Sequence, residues 1–424
     1  MKKIFVPVDD IPSIEHTLRP ISYISWLLGV GVARPRKFSK TMTIIIRIVH
    51  LVMCSVSMVC NAIDLFNYVS INKLYNHMFL ITYFMDRMMC YVSAYYYIYH
   101  GIRQYDKWSK LIDKIKGLDQ KIRKETQIND QPIRNVEVIA ILATTVCCLL
   151  LLIIPVVRYC IDSRNIYATE LLLFYVLAQS LVNSFVFDVV VYVLYYRFQT
   201  INKLIGQLDK LFNASWAALK IKRMRELHYD ICDLVIMINE IHGLQLLLCS
   251  ANCFTAVEAT LFRIYLLVLK EPYNYCYYIL INSIVCILYL VQFGLMCWIC
   301  TLARQESDKT GIIICAIILK RKPVNHEKLH ETINQTFLEV QNSNWSSNHN
   351  WNYVVIENFF LKNLEENCVR NEINDFSIQL QLRRVAFTAC YFFEISNNLF
   401  CGVSTKFIYF ITIHVKLAIF KLAM

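Results

Sequence analysis

The chain has 424 residues, of which 57% are hydrophobic and only 18% are charged. Soluble domains are typically about 45–50% apolar and about 25% charged, so the composition excludes an ordinary soluble domain and a disordered chain. Nine glycines and eight prolines provide few turns, which excludes a protein made of many short strands. The formal net charge is +11, and its distribution along the chain decides what it means.

Seven apolar segments are long enough to cross a bilayer core, which needs about 20 helical residues. We number them segments 1 to 7, and they are 42–65, 78–100, 136–160, 170–196, 241–269, 275–302 and 399–420. Segment 7 is the least regular, because Lys406, His414 and Lys416 lie inside it. The predicted fold class is an all-α membrane protein with seven transmembrane helices.

Lysine and arginine are distributed very unevenly between the two sets of loops. The segment before the first crossing and the loops on its side contain 33 of them, and the other loops contain four. Since cytoplasmic loops retain positive charge, the N-terminus is predicted to be cytoplasmic and the C-terminus extracellular. This explains the net charge by topology, so we expect no nucleic-acid partner.

The cytoplasmic parts are predicted to be partly helical. Residues 105–124 and 201–241 carry apolar side chains at helical spacing with charged residues between them. We interpret them as extensions of the membrane helices that form a packed cytoplasmic anchor layer. The predicted organisation is a cytoplasmic N-terminal segment (1–41), segments 1–6 with their extensions (42–302), a cytoplasmic loop leading to segment 7 (303–398), and segment 7 itself (399–424).

Several polar side chains lie within the outer halves of the apolar segments. Ionisable groups in a bilayer cost about 2.5–3.5 kcal/mol at mid-helix, so they usually face protein or water. We predict a ligand pocket open to the outside, bordered by Arg87, Gln179, Asn183, Glu258 and Asn282. The alternative is that these groups only fix helix packing, for instance by pairing Arg87 with Glu258.

No catalytic motif is present in the sequence. It contains no glycine-rich phosphate loop, no HExxH and no GxSxG. The 17 cysteines lie mostly inside apolar runs, without the spacing of a zinc site. We therefore expect no enzyme activity, no metal and no other cofactor.

Three stretches carry recognisable motifs. Residues 225–247 form the entry into segment 5 and include Asn239 and Gly243, and residues 300–310 form the end of segment 6. Residues 371–382 and 387–395 lead into segment 7. These stretches resemble the corresponding parts of the insect gustatory receptor family, within the insect chemoreceptor superfamily, and the overall pattern extends over nearly the whole chain.

The resemblance implies a tastant-gated, non-selective cation channel in the plasma membrane of gustatory neurons, at the dendrite. Four subunits, identical or mixed with other gustatory receptors, would surround one pore lined by segment 7. The partners would be membrane lipids and a small-molecule tastant. A bitter plant compound is the default ligand, because the sequence does not resemble the sugar or carbon dioxide subfamilies.

The C-terminal signature of the family is Thr-Tyr, five apolar residues, then Gln-Phe, and this chain departs from it. The resemblance assigns Tyr409, Thr412 and Lys416 to the pore lining, with Lys416 at the glutamine position. Four lysines in a narrow path would oppose cation conduction. One hypothesis is that residues 403–424 come from intron read-through, since Val403-Ser404 can be encoded by a donor sequence. A genuinely diverged segment 7 is the other.

Other classes of membrane protein are also considered. A G-protein-coupled receptor would have the opposite charge bias, and a transporter would have repeated halves and broken mid-membrane helices. An odorant-type receptor is closer, because it belongs to the same superfamily. A receptor subunit that does not itself conduct is the remaining alternative.

Overall fold

The computed structural model describes residues 14–35, 37–71, 77–126, 131–139, 168–208, 214–270, 276–320 and 367–405. It also describes positions 141, 142, 145, 146, 149, 153, 409, 412 and 416. Side chains at several helix ends, including residues 264–270 and 276–282, are outside this description.

The described chain is almost entirely helical. In chain order its helices are α1 (Ile14–Thr17), α2 (Arg19–Leu27), α3 (Lys40–Ile71), α4 (His77–Arg103), α5 (Tyr105–Arg123), α6 (131–139), α7 (Ala168–Gly206), α8 (Ala214–Lys270), α9 (Cys276–Lys320), α10 (367–382) and α11 (397–405). A two-stranded antiparallel hairpin, β1 (Thr388–Ala389) and β2 (Phe393–Glu394), precedes α11. This confirms the all-helical class.

Four of the described helices are long and apolar enough to cross a membrane: those at Lys40–Phe66, Phe174–Gly206, Trp216–Arg263 and Ser283–Ile317. They contain segments 1, 4, 5 and 6. Segment 2 forms α4, but six tyrosines together with Asp86 and Arg87 lower its hydropathy. Most of segments 3 and 7 falls outside the described residues, so the count of seven and the sidedness of the termini stay predictions.

Three helices are much longer than a bilayer requires. α7, α8 and α9 have 39, 57 and 45 residues, and at 1.5 Å per residue α8 is about 85 Å long. A hydrocarbon core is about 30 Å thick, so a large part of each helix must lie beyond it. α5 is a separate amphipathic helix at the position predicted for residues 105–124, with Trp108, Leu111 and Ile115 buried.

The chain divides into two compact units. The first comprises Met1–Tyr196, Asp233–Arg304 and Ala386–Met424, and the second comprises Arg197–Cys232 and Gln305–Val385. Within the second unit, the Asn202 amide donates to the backbone oxygen of Glu306 (2.7 Å) and accepts from the Thr310 hydroxyl (2.7 Å). Its buried His228 ring packs between Phe198 and Phe376. The second unit therefore has a core of its own, with polar groups that are hydrogen-bonded.

Candidate ligand site and its link to the last helix

A charged cluster joins α4 to α8 in the first unit. The Arg263 guanidinium pairs with the Asp86 carboxylate at 2.7 Å, and both side chains are less than a fifth exposed. The Arg87 and Arg263 guanidinium groups lie 4.9 and 5.5 Å from the centre of the Tyr83 ring. Two cations thus share one phenol ring, a geometry that favours cation–π attraction.

A small cleft between α7 and α9 lies next to this cluster. Its apolar walls are Leu177, Leu181, Val285 and Leu288, and its polar lining is Tyr289 and Gln292. Cys90, one turn from the charged cluster on α4, lies 3.8 Å from the Tyr289 hydroxyl. The cleft has a volume of about 10 Å³, about the space of one water molecule. Its combination of apolar walls with a phenol and an amide suits a mostly apolar ligand whose polar groups are oriented by these two side chains, but such a ligand enters only if α7 and α9 move apart.

Gln292 is held in this cleft by its neighbours. Its amide nitrogen donates to the Ser184 hydroxyl at 2.5 Å. Its amide oxygen is buried and has no hydrogen-bond partner among the described residues. A buried acceptor without a partner costs free energy, and a donor on a ligand would recover it. Gln292 is therefore the strongest candidate in the cleft for a polar contact with ligand.

Gln179 and Asn183 lie in a second polar cluster, one turn apart on α7. The Gln179 amide donates to the backbone oxygen of Leu28 (2.8 Å) and to the Tyr175 hydroxyl (2.6 Å). The Asn183 side-chain oxygen is buried and lacks a partner in the described part of the chain, and it lies against Gly31. Both residues therefore border the turn that precedes α3.

The remaining predicted pocket residues are not gathered with these. Glu258 is exposed, and no described residue pairs with it, so the suggested Arg87–Glu258 pair is replaced by Asp86–Arg263. Asn282 lies in α9, but its side chain is outside the described residues. Sequence reasoning omitted Tyr83 and Tyr289, because tyrosine is common in this chain and carries no signal by itself.

The hairpin before α11 is tied to α8 by one side chain. The Asn239 amide donates to the backbone oxygen of Ala386 (2.8 Å), and its oxygen accepts from the backbone N–H of Thr388 (3.1 Å). Asn239 thus takes the place of a neighbouring strand at β1. The hairpin is also tied to α9, because Arg304 pairs with Glu394.

The turn of the hairpin has an unusual backbone. Cys390 and Tyr391 have φ angles of 50° and 63°, in the left-handed region that residues other than glycine seldom occupy. A Cβ at Gly243 would come within 3.3 Å of the Cys390 nitrogen, so the glycine allows the turn to approach α8 closely. Partial burial raises the pKa of the Cys390 thiol above its ordinary value.

The start of α11 is attached to α9 as well. The Asn397 backbone N–H donates to the Thr301 hydroxyl at 2.9 Å. The Phe400 ring packs on Phe293, and a Cβ at Gly294 would lie 3.1 Å from it. The start of α11 is therefore held to α9 by one hydrogen bond and one aromatic contact.

The predicted pore residues lie at helical spacing along the chain. Tyr409, Thr412 and Lys416 are helical and exposed, at spacings of three and four residues. Residues three and four apart lie on the same side of a helix. Their assignment to a pore stays a prediction.

Comparison with known proteins identifies the family. The family model for the 7tm Chemosensory receptor matches residues 18–344. The chain belongs to this family, the insect chemosensory receptors. The match ends before residues 371–395, so it is independent of the resemblance noted there.

The fold of the receptor is similar to that of solved relatives. The insect olfactory receptor OR5 from Machilis hrabei in complex with eugenol gives a TM-score of 0.60 at 12% identity, covering 94% of this chain and 97% of that one. A second structure of OR5 from Machilis hrabei gives a TM-score of 0.58 at 13% identity, covering 94% of this chain and 98% of that one. At this identity the likeness shows the fold alone. No curated protein sequence matches the chain significantly.

Proposed function

We propose that this receptor is a gustatory-type subunit of a tastant-gated, non-selective cation channel in the plasma membrane of chemosensory neurons. Membership in the chemosensory receptor family carries the proposal. The three stretches that resemble gustatory receptors support the taste branch. The proposed assembly is a tetramer, homomeric or mixed, with the N-terminus in the cytoplasm.

The ligand is proposed to bind in the cleft at Tyr289 and Gln292. Eugenol, the ligand in the olfactory receptor complex, is a small aromatic phenol. The chemistry of such a molecule, with an apolar body and one or two polar groups, suits the apolar walls and the buried amide oxygen of Gln292. Because the cleft holds only about 10 Å³ in this structure, the ligand would bind an arrangement in which α7 and α9 have moved apart. Arg87, Gln179, Asn183, Glu258 and Asn282 stay proposals as bordering residues, and alanine at each should alter potency without loss of surface expression.

Gating is proposed to pass from α9 to α11. Tyr289 and Gln292 lie on the same helix as Gly294, which contacts Phe400 at the start of α11. A ligand that contacts the cleft better in one arrangement of α9 shifts the population toward that arrangement. Because Arg304 and Thr301 of α9 also bind the hairpin and α11, the shift would reach the proposed pore helix.

The pore is proposed to be lined by Tyr409, Thr412 and Lys416. Four lysines at one level would place about four positive charges in a cation path, which opposes conduction. The Lys416→Gln variant should therefore conduct more cation current than the parent chain. If the Lys416→Gln channel reaches the cell surface and its current is unchanged, Lys416 does not line the pore.

Expression in cells with a calcium readout tests the receptor function. The panel should contain bitter plant compounds and volatile odorants that include eugenol, because the likeness to OR5 favours an odorant as the second candidate ligand class. A response to odorants alone would move the receptor to the olfactory branch. No response from a surface-expressed chain, alone or with co-expressed gustatory receptors, would contradict ligand-gated conduction.

A matched pair of variants tests the cleft. Tyr289→Phe removes a buried hydroxyl at the cleft, and Tyr99→Phe removes one from an exposed position on α4. If the Tyr289 hydroxyl binds ligand, its loss should raise the half-maximal concentration about fivefold, as expected for one hydrogen bond of about 1 kcal/mol. Tyr99→Phe should leave potency unchanged. Equal responses would argue against this cleft.

The proposed sidedness is tested separately with an epitope tag at the N-terminus. The tag should be reached by antibody only after the plasma membrane is permeabilised. Labelling of intact cells would contradict both the topology and the channel proposal.

A further inference from the structure

A second cleft lies near the N-terminus, in the first unit and away from the proposed tastant cleft. It has a volume of about 190 Å³ and is formed by α1, α2, the turn before α3, and α5. Its floor includes the buried side chains of Trp108 and Ile112. On the same measure one water molecule needs only about 15 Å³, so the cleft has room for a group several times larger than a water molecule.

The charged side chains at this otherwise largely apolar cleft are mostly cationic. Arg19, Arg34 and Lys37 contribute three positive charges, and Glu15 contributes one negative charge. Arg19 and Lys37 are exposed, and Arg34 is half-buried. Two of the cations can therefore move to a ligand while the third has a more fixed position.

Arg34 is positioned by α5. Its guanidinium lies 3.5 Å from the centre of the Tyr105 ring. Its Nε and Nη2 atoms donate to the Tyr105 backbone oxygen and to the Ser109 hydroxyl, each at 3.3 Å. A guanidinium held in this way loses less freedom when it binds an anion, because its orientation is already set.

The turn that carries Lys37 is fixed in a similar way. The Phe38 ring stacks on Trp26 with a centroid distance of 4.0 Å, and Tyr23 packs edge-on against it. The Trp26 indole N–H also donates to the Thr43 hydroxyl on α3. The cleft is thus assembled on packed aromatic rings rather than on a loose chain end.

The position of the cleft along the chain places it near the start of a candidate membrane span. Lys37 precedes by three residues the point at which α3 and its candidate membrane span begin, at Lys40. A residue so close to the start of a span lies near the membrane surface. Under the cytoplasmic topology proposed above, that surface carries the anionic lipids of the inner leaflet, which attract basic residues next to a span.

We propose that this cleft binds the phosphorylated headgroup of a phosphoinositide in the cytoplasmic leaflet. Arg19, Arg34 and Lys37 would bind phosphate oxygens, and Glu15 would accept a hydrogen bond from an inositol hydroxyl. The net charge of the lining is +2, which matches a headgroup with more than one phosphate better than phosphatidylserine. The inference rests on the proposed topology and is independent of the tastant cleft and of conduction.

The test uses the purified full-length receptor in detergent and a fluorescent short-chain phosphatidylinositol 4,5-bisphosphate. Arg19→Gln combined with Lys37→Gln removes two cations and leaves the Arg34 contacts intact. Lys110→Gln combined with Lys114→Gln removes two exposed cations from α5 outside the cleft lining. The first pair should weaken binding about thirtyfold, or about fivefold per basic side chain, and the second should weaken it less than threefold.

Competitors distinguish the sources of the phosphate. Unlabelled short-chain phosphoinositide should displace the probe, whereas inorganic phosphate and phosphatidylserine should do so only at much higher concentration. Equal losses in the two double variants would overturn the proposal, because they would mean non-specific attraction to a basic surface. Binding unaffected by Arg19→Gln with Lys37→Gln would overturn it too, as would equal displacement by inorganic phosphate. Unfolding temperatures within about 2 °C of the parent establish that the variants are folded.

Discussion

Replacing Asn239 by alanine should loosen the hairpin without unfolding the rest of the receptor. The change removes two hydrogen bonds, to the Ala386 oxygen and the Thr388 N–H. Each is worth about 1 kcal/mol net, so the local opening of the hairpin should become easier by about 2 kcal/mol. That corresponds to about a thirtyfold rise in the open population. Asn239, Ala386 and Thr388 are half-buried, so water can restore part of the loss and about thirtyfold is an upper value.

Hydrogen–deuterium exchange with mass spectrometry measures this opening directly. Peptides covering residues 386–395 should exchange up to about thirtyfold faster in Asn239→Ala, while peptides from α7 should be unchanged. Asn239→Asp keeps the acceptor for Thr388 but loses the donor to Ala386, so its exchange should be intermediate. Asn135→Ala, at an exposed position on α6, is the matched control. If Asn239→Ala exchanges faster throughout the protein, or if its hairpin exchanges no faster than in the parent, Asn239 does not stabilise the hairpin locally.

Three further substitutions test other contacts. Asp86→Arg should reduce surface expression, because it removes the partner of Arg263 in a partly buried ion pair. The double variant Asp86→Arg with Arg263→Asp exchanges the two charges and should recover most of the surface expression. Lack of recovery would mean that the two charges do not interact. Gly294→Val should impair gating because its side chain meets Phe400, and adding Phe400→Leu should relieve the defect if that contact is the cause. Arg225→Met should lower the free energy of unfolding by under about 1 kcal/mol in a thermal unfolding measurement, because the two acidic partners of Arg225, Glu372 and Asp375, are partly exposed. A much larger loss of stability would indicate a buried network.

The helices could be predicted because lipid leaves the chain few options. Backbone groups in a bilayer must be satisfied internally, so a long apolar run such as residues 170–196 is a helix. The amphipathic spacing of α5 was an equally direct signal, since Leu111 and Ile115 recur on one face. The end of α7 was harder to predict from the sequence. The spacing in residues 201–241 indicated one helical stretch, whereas α7 ends at Gly206 and α8 begins at Ala214.

The clusters of polar residues were predicted only in part, because hydropathy gives the depth of a side chain but not its direction. Gln179 and Asn183 were chosen as polar groups within an apolar segment, and they are buried. Nothing in the sequence indicated that they would contact the turn before α3. That turn depends on Gly29 and Gly31, which have φ angles of 69° and 62°. Two glycines so close together, in a chain with nine, were the available signal.

The same turn gives a last prediction, in which one kind of substitution has opposite effects at two sites. Gly101 is near the end of α4, and a Cβ there would overlap the Arg47 guanidinium and the backbone oxygen of Gly31. Arg47 is 1% exposed and donates to the Gly29 oxygen at 3.2 Å, so it has little room to move. Gly101→Ala should therefore destabilise the receptor by about 1–3 kcal/mol, as overpacked sites do.

Gly117, within α5, is the matched control for Gly101. Apart from the adjoining backbone of α5, no atom of the residues that the structure describes lies within 4 Å of the Cβ that alanine would add there. Gly117→Ala should stabilise α5 by about 0.5–1 kcal/mol, because alanine restricts the unfolded chain and favours helix. Thermal unfolding of the two purified variants can be monitored by size-exclusion chromatography. The unfolding midpoint of Gly101→Ala should be lower than that of the parent, and the midpoint of Gly117→Ala should be higher. A Gly101→Ala midpoint at or above that of the parent would mean that α4, Arg47 and the glycine turn do not meet in this way, and the burial of Arg47 would then need another explanation.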